Sequence, residues 1–263
     1  MKSVFILLLV AFAISCSNNN PKNTTLWPAH AHNDYEHEHP LFDAMASNFC
    51  SIEADVFSVG DSLFVAHNLE DIKPGRTLRN LYLNPLQKQI NENSNEIILL
   101  VDIKNNGLKT YQLLDSILSN YSSILKTYKN GECNAGKVMV VVSGDRSLEY
   151  MQSQNRRFAF YDGRLSDIDS GLLPAIMPMV SDSWSSCFTW DGNGEMPANE
   201  KAMLKTFADK AKQKGYILRF WGTPNKTATQ RKAVWTELNT AGVGLIGADN
   251  LSELEEFFEK NNR

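Results

Sequence analysis

Short apolar runs recur along the chain, and polar stretches with helical spacing separate them. The runs predict strands over 26–32, 51–57, 97–103, 137–143, 158–161, 175–180, 216–221 and 243–247. Helical spacing predicts helices over 41–48, 108–121, 147–154, 200–214 and 229–240, with a last one over 251–259. Asn199 reads as the N-cap of the fourth helix and Gly215 as its stop. Residues 62–66 read as a short return strand, reached through a turn at Gly60-Asp61. Runs such as IILLV and VMVVV have no polar alternation, so both faces of those strands must be covered, as in a parallel sheet. About eight strands alternating with helices define an α/β chain, and the count fits a single-domain (β/α)8 TIM-type barrel better than an open doubly wound sheet. The chain has no G-x-G-x-x-G motif, no P-loop and no linker that would divide it in two.

The first residues read differently. Lys2 precedes an apolar stretch over 4–14 that is too short to span a bilayer, which predicts a signal peptide over 1–15. Cys16 follows small residues in an arrangement that resembles a bacterial lipobox, which predicts lipidation at Cys16. A polar, Asn-rich tether over 16–25 would follow, with the folded domain over 26–263. These features predict a protein exported to a bacterial cell envelope and held on the membrane through the lipid anchor at Cys16. The net charge of −4, without a basic block, predicts no nucleic-acid partner. Beyond Cys16 only Cys50, Cys133 and Cys187 remain, an odd and widely spaced set that predicts buried free thiols.

All five histidines fall between His30 and His67, around an apolar strand that carries Glu53 and Asp55. Alternation in a strand puts both carboxylates on one face, here the barrel interior, since helices would cover Ile52 and Ala54. Two buried acids repel and lose hydration, a conflict that a divalent cation resolves. Asp102 ends the next strand and supplies a third acid, and Lys104 shares its face. An all-oxygen donor set suits Mg²⁺ or Ca²⁺ better than Zn²⁺. The competing reading of Glu53-x-Asp55 is an ion pair with a lysine or arginine inside the barrel. Imidazoles at the strand ends supply groups that titrate near neutrality. His67 is one candidate, and His30 or His32 the other; His32 lies nearer the strand end. His37 and His39 alternate with Glu36 and Glu38 and read as a polar loop.

Other hydrolase plans lack their parts. A binuclear amidohydrolase site needs histidines on later strands, and none follows His67. A Ser hydrolase needs a G-x-S-x-G elbow and a late histidine. A glycosidase would suit the carboxylates and Trp184, Trp190 and Trp221, but it leaves the histidines idle.

The motifs AHAHNDY, SIEADVF, FVAHN, VDIK, RFWGTPN and LIGADN resemble those of the glycerophosphodiester phosphodiesterase and phosphatidylinositol-specific phospholipase C-like superfamily. Within it, HAHNDY together with SGDR, DGRL and RFWGTPN is similar to the branch that includes the altered-inheritance-of-mitochondria proteins. The resemblance implies a barrel whose C-terminal face carries the site, with Glu53, Asp55 and Asp102 as ligands of one Mg²⁺ or Ca²⁺. It implies His32 (or His30) and His67 as the acid–base pair, and Lys104, Asn33, Arg219 and Trp221 around the substrate. The usual His-Arg-Gly signature is absent, and Asn33 follows His32 as in sphingomyelinase D-like barrels. The expected activity is metal-dependent cleavage of a phosphodiester, either a small glycerophosphodiester or a phospholipid head group. The alternative is a non-catalytic module that binds phosphate ligands on the same barrel.

Overall fold

The computed structural model describes residues 25–261, so the predicted signal peptide and Cys16 lie outside the described residues. The chain opens with β1 (Trp27–Ala31), a short α1 (Phe42–Ala46) and the long β2 (Phe49–Val59). β3 (Ser62–Val65) then runs back antiparallel along β2. α2 (Asn84–Gln89), β4 (Ile97–Ile103) and α3 (Gly107–Leu118) follow, and then the short β5 (Thr127–Lys129) and β6 (Glu132–Asn134). The middle of the chain holds β7 (Val138–Gly144), α4 (Leu148–Ser153), β8 (Arg156–Arg157) and β9 (Ala159–Gly163). Next come β10 (Met179–Ser183), α5 (Trp184–Cys187), α6 (Ala198–Gln213) and β11 (Ile217–Trp221). α7 (Ala228–Ala241), β12 (Ile246–Ala248) and α8 (Leu251–Asn261) complete the described chain.

β1, β2, β4, β7, β9, β10 and β11 pair in parallel in that order, and β12 returns to β1. A bridge between Arg219 and Leu245 joins β11 to the residues leading into β12, with the Leu245 N–H donating to the Leu218 carbonyl at 3.0 Å. That contact nearly closes an eight-stranded parallel barrel in one domain. Alternation along the strands then sorts the core into two layers. Leu99, Val101, Val140 and Val142 face outward and pack with the helices. Ile98, Leu100, Val141, Phe160, Met179 and Leu245 pack together as the plug inside the barrel. Each fully buried branched side chain contributes roughly 1.5–3 kcal/mol to folding.

The plug ends where the site begins. Two residues past Leu100, on the same inward face, stands Asp102. Register sets Asp55 beside Asp102, and Asp102 beside Ser143, at one level of the barrel. The polar layer is therefore at the C-terminal mouth of the barrel, above an apolar floor.

Several local expectations shift. α6 starts at Ala198 behind Pro197 at the N-cap, so Asn199 lies in the first turn and is not the cap. The sixth barrel strand starts at Met179 rather than residue 175, because the Leu173 carbonyl accepts from the N–H groups of Ile176 and Met177 in a turn. A small antiparallel sheet of β6, β5 and β8 was not expected. Its hairpin turns at Asn130-Gly131, both with positive φ (52° and 97°), a pairing that favours a two-residue connection. Cys50, Cys133 and Cys187 are free thiols, but Cys133 is exposed and the other two are only partly covered, so the expected burial does not hold.

Candidate active site

Glu53, Asp55 and Asp102 bring carboxylate oxygens within 4.8 Å of one another. Two cations reach into the cluster. Lys104 Nζ lies 2.9 Å from Asp55 Oδ2 and 3.3 Å from Asp102 Oδ1. Arg219, buried on β11, places Nη2 3.3 Å from Glu53 Oε2. One negative charge is left in excess, and the acids divide accordingly. Burial pushes the Asp102 carboxyl up to about 6 in spite of Lys104. Burial and the Glu53 charge also raise Asp55. Burial opposes the Glu53 charge too, but Arg219 and His30 outweigh it and hold that carboxyl well below its ordinary range. Asp55 Oδ1 is buried with no hydrogen-bond partner.

A divalent ion fits this donor set, because it would neutralise the excess charge and partner the orphaned oxygen. Gly144 makes room for one of the acids. A Cβ at Gly144 would lie 2.2 Å from Asp102 Oδ1, and its φ of +72° is one that L side chains rarely adopt.

The predicted histidines occupy different levels. His30 is fully buried beneath the acids, with Nε2 3.1 Å from Glu53 Oε2 and Nδ1 2.8 Å from Ser51 Oγ. Burial and the Arg219 charge push its pKa down to about 4, so the ring is neutral. A neutral ring satisfies both contacts if Nε2–H donates to Glu53 and the Ser51 hydroxyl donates to Nδ1. His32 lies just past the end of β1, with its side chain 39% exposed. Its Nδ1 is 2.6 Å from Asp249 Oδ1 and its Nε2 is 3.9 Å from Glu53 Oε2. Burial would lower its pKa, but the hydrogen bond to Asp249 and the Glu53 charge leave it raised. His67 follows β3, with its side chain 53% exposed and Nδ1 3.5 Å from Asp55 Oδ2. One accessible imidazole therefore stands beside Glu53 and another beside Asp55.

Trp221, 43% exposed, lines a cleft of about 190 Å³ with His32, Thr223, Asn225 and Asp249. Arg219 lines the same cleft while pairing with Glu53, and Lys104 pairs with Asp55, so the ion-pair reading of the strand motif holds for both of its acids. Asn33 adopts a left-handed φ of 48°, and its amide oxygen is 2.9 Å from the Tyr35 hydroxyl. Four residues of the site were not singled out from the sequence: Ser51, Tyr35, Gly144 and Asp249. All four stand inside quoted motifs (SIEADVF, HNDY, SGDR and LIGADN), but nothing in those strings states which partner each one meets.

An (α/β) barrel with acids and imidazoles gathered at its C-terminal mouth defines a protein with a phosphodiesterase-like fold, and the comparisons agree. Residues 20–97 match the model of the AIM6-like phosphodiesterase domain. An altered inheritance of mitochondria protein 6 homolog from Arthroderma benhamiae is 29% identical over 265 residues, covering 88% of this chain and 83% of that protein. Altered inheritance of mitochondria protein 6 from Saccharomyces cerevisiae is 27% identical over 274 residues, covering 88% and 70%. A glycerophosphoryl diester phosphodiesterase from Parabacteroides distasonis shares the fold with a TM-score of 0.50 at 12% identity, covering 89% of this chain and 84% of that one. The chain is thus similar to the AIM6-like phosphodiesterase-domain proteins, the branch its motifs suggested. The similar curated proteins are fungal, which overturns the expectation of a bacterial cell-envelope location.

Proposed function

We propose that this protein is a phosphodiesterase that cleaves a small-molecule or lipid phosphodiester with one Mg²⁺ or Ca²⁺ held by Glu53, Asp55 and Asp102. The observation that carries the reading is the pairing of three clustered acids with two accessible imidazoles, each hydrogen-bonded through Nδ1. When bound, the ion would offset the negative charge that develops on the diester.

The chain's own groups supply the rest. His32 and His67 exchange protons with the attacking and leaving oxygens, and each keeps Nε2 free for that work. Asp249 fixes the His32 ring and favours its charged form. Lys104 offsets one of the two charges on Asp55 and Asp102 and stands ready for a phosphate oxygen. His30 cannot reach substrate; with Ser51 below and Arg219 beside it, it orients Glu53. Trp221 and the cleft beside it receive the organic part of the diester.

Two variants test this reading. His67→Ala is expected to lower turnover of diesters followed by ³¹P NMR by at least 10²-fold while calorimetric metal binding persists. Glu53→Gln is expected to lose both. Wild-type turnover in His67→Ala would overturn the assignment.

A further inference from the structure

The Tyr35 hydroxyl stands where three groups of the site converge. Its Oη lies 2.8 Å from Asp55 Oδ2, 3.2 Å from His67 Nδ1 and 2.9 Å from Asn33 Oδ1. The direct approach of His67 Nδ1 to Asp55 Oδ2 is longer, at 3.5 Å. Tyr35 itself is buried, and the short 3-10 turn Asp34–Glu36 that carries it is tied down from below. Asp34 accepts from the Leu41 N–H at 2.6 Å and from the Tyr82 hydroxyl at 2.9 Å, and Arg76 donates to the Tyr35 carbonyl. Three hydrogen bonds therefore anchor the turn that carries the phenol.

A phenol has one proton and two lone pairs. Two acceptors compete for that proton, and the charged Asp55 carboxylate is both closer and stronger than the neutral Asn33 amide oxygen, so the O–H points to Asp55. What remains toward His67 is a lone pair, and a lone pair requires that His67 Nδ1 carry a proton. Neutral His67 then presents an unprotonated Nε2 to the barrel mouth.

We infer that Tyr35 is a positioning residue that fixes the tautomer and orientation of His67 and couples that ring to Asp55. The inference deepens the phosphodiesterase reading and rests on it for its catalytic consequence. The two accessible histidines would then be oriented by unlike partners, His32 by an anion and His67 by a neutral phenol.

The test is ¹⁵N NMR of the His67 ring, with turnover measured alongside. In the wild type the neutral ring is expected as the Nδ1–H tautomer. In Tyr35→Phe, which keeps the aromatic packing, the ring is expected to become a mixture of tautomers, and kcat at saturating metal is expected to fall about 10–100-fold with KM unchanged. An Nε2–H tautomer in the wild type would overturn the inference even if the variant failed to fold. So would a variant whose His67 tautomer matches that of the wild type. The tautomer is read without turnover. A protein inactive on every diester, but with the expected tautomer shift, would sink the phosphodiesterase reading and support the positioning role.

Discussion

Replacing Asp102 with asparagine is expected to stabilise the metal-free protein above pH 6 and to do nothing for it at pH 4. Its carboxyl is raised from the ordinary 3.8 to about 6, chiefly by burial. A shift of about two units corresponds to roughly 3 kcal/mol against the charged form at neutral pH. The side chain is 19% exposed, and Lys104 would lose one of its two charged partners, so about 1–2 kcal/mol is the expected net gain. The pH dependence follows from which state holds the proton. As pH rises, the unfolded carboxyl ionises near 3.8 while the native one keeps its proton to about 6. Between those values the native state binds more protons, so wild-type stability falls, and the loss is complete above about 6. The variant escapes it. Urea denaturation in excess chelator at pH 4, 5, 7 and 8 would show a gain that is absent at pH 4, grows through pH 5 and levels off above 6. Added Mg²⁺ or Ca²⁺ should reverse the order, because only the wild type retains all three ligands. A variant no more stable than the wild type at pH 7 and 8 in chelator would refute the reasoning. So would a gain that is the same at pH 4.

Asp249→Asn removes the anion that raises His32, so the His32 limb of the pH–rate profile should move to lower pH, with kcat down roughly 10–100-fold. Glu53→Gln strips the buried Arg219 of its carboxylate partner and should destabilise the chelated protein by about 3–5 kcal/mol in urea denaturation, opposite in sign to Asp102→Asn. Gly144→Ala forces a Cβ toward Asp102 at a positive φ, and calorimetry should show metal affinity weakened by about 10-fold or more while the far-UV spectrum stays native.

Much of the barrel was legible because its strands are short, apolar on both faces and regularly spaced. The inward direction of Glu53, Asp55 and Asp102 followed from strand alternation, and the shared level of Asp55 and Asp102 from pairing the second and third barrel strands. What could not be read was depth and company. His30 and His32 share a strand face, yet one is sealed under Glu53 while the other reaches the cleft, a difference set by where β1 ends. Asp249 meets His32 across 217 positions of sequence, through closure of the last strand on the first. Tyr35 lies in a motif that drew notice for its histidine, and its hydroxyl counts only because the chain folds back over Asp55. Asn130-Gly131 did announce its hairpin, and only the polar neighbourhood hid it.

The central claim is that three acids and two imidazoles work together through a divalent ion. It is tested most directly by the rate of diester cleavage as the chelated protein is titrated with Mg²⁺ or Ca²⁺. The account predicts negligible cleavage in chelator and a rate that rises to a plateau at one bound ion per chain. Full activity in excess chelator would contradict it.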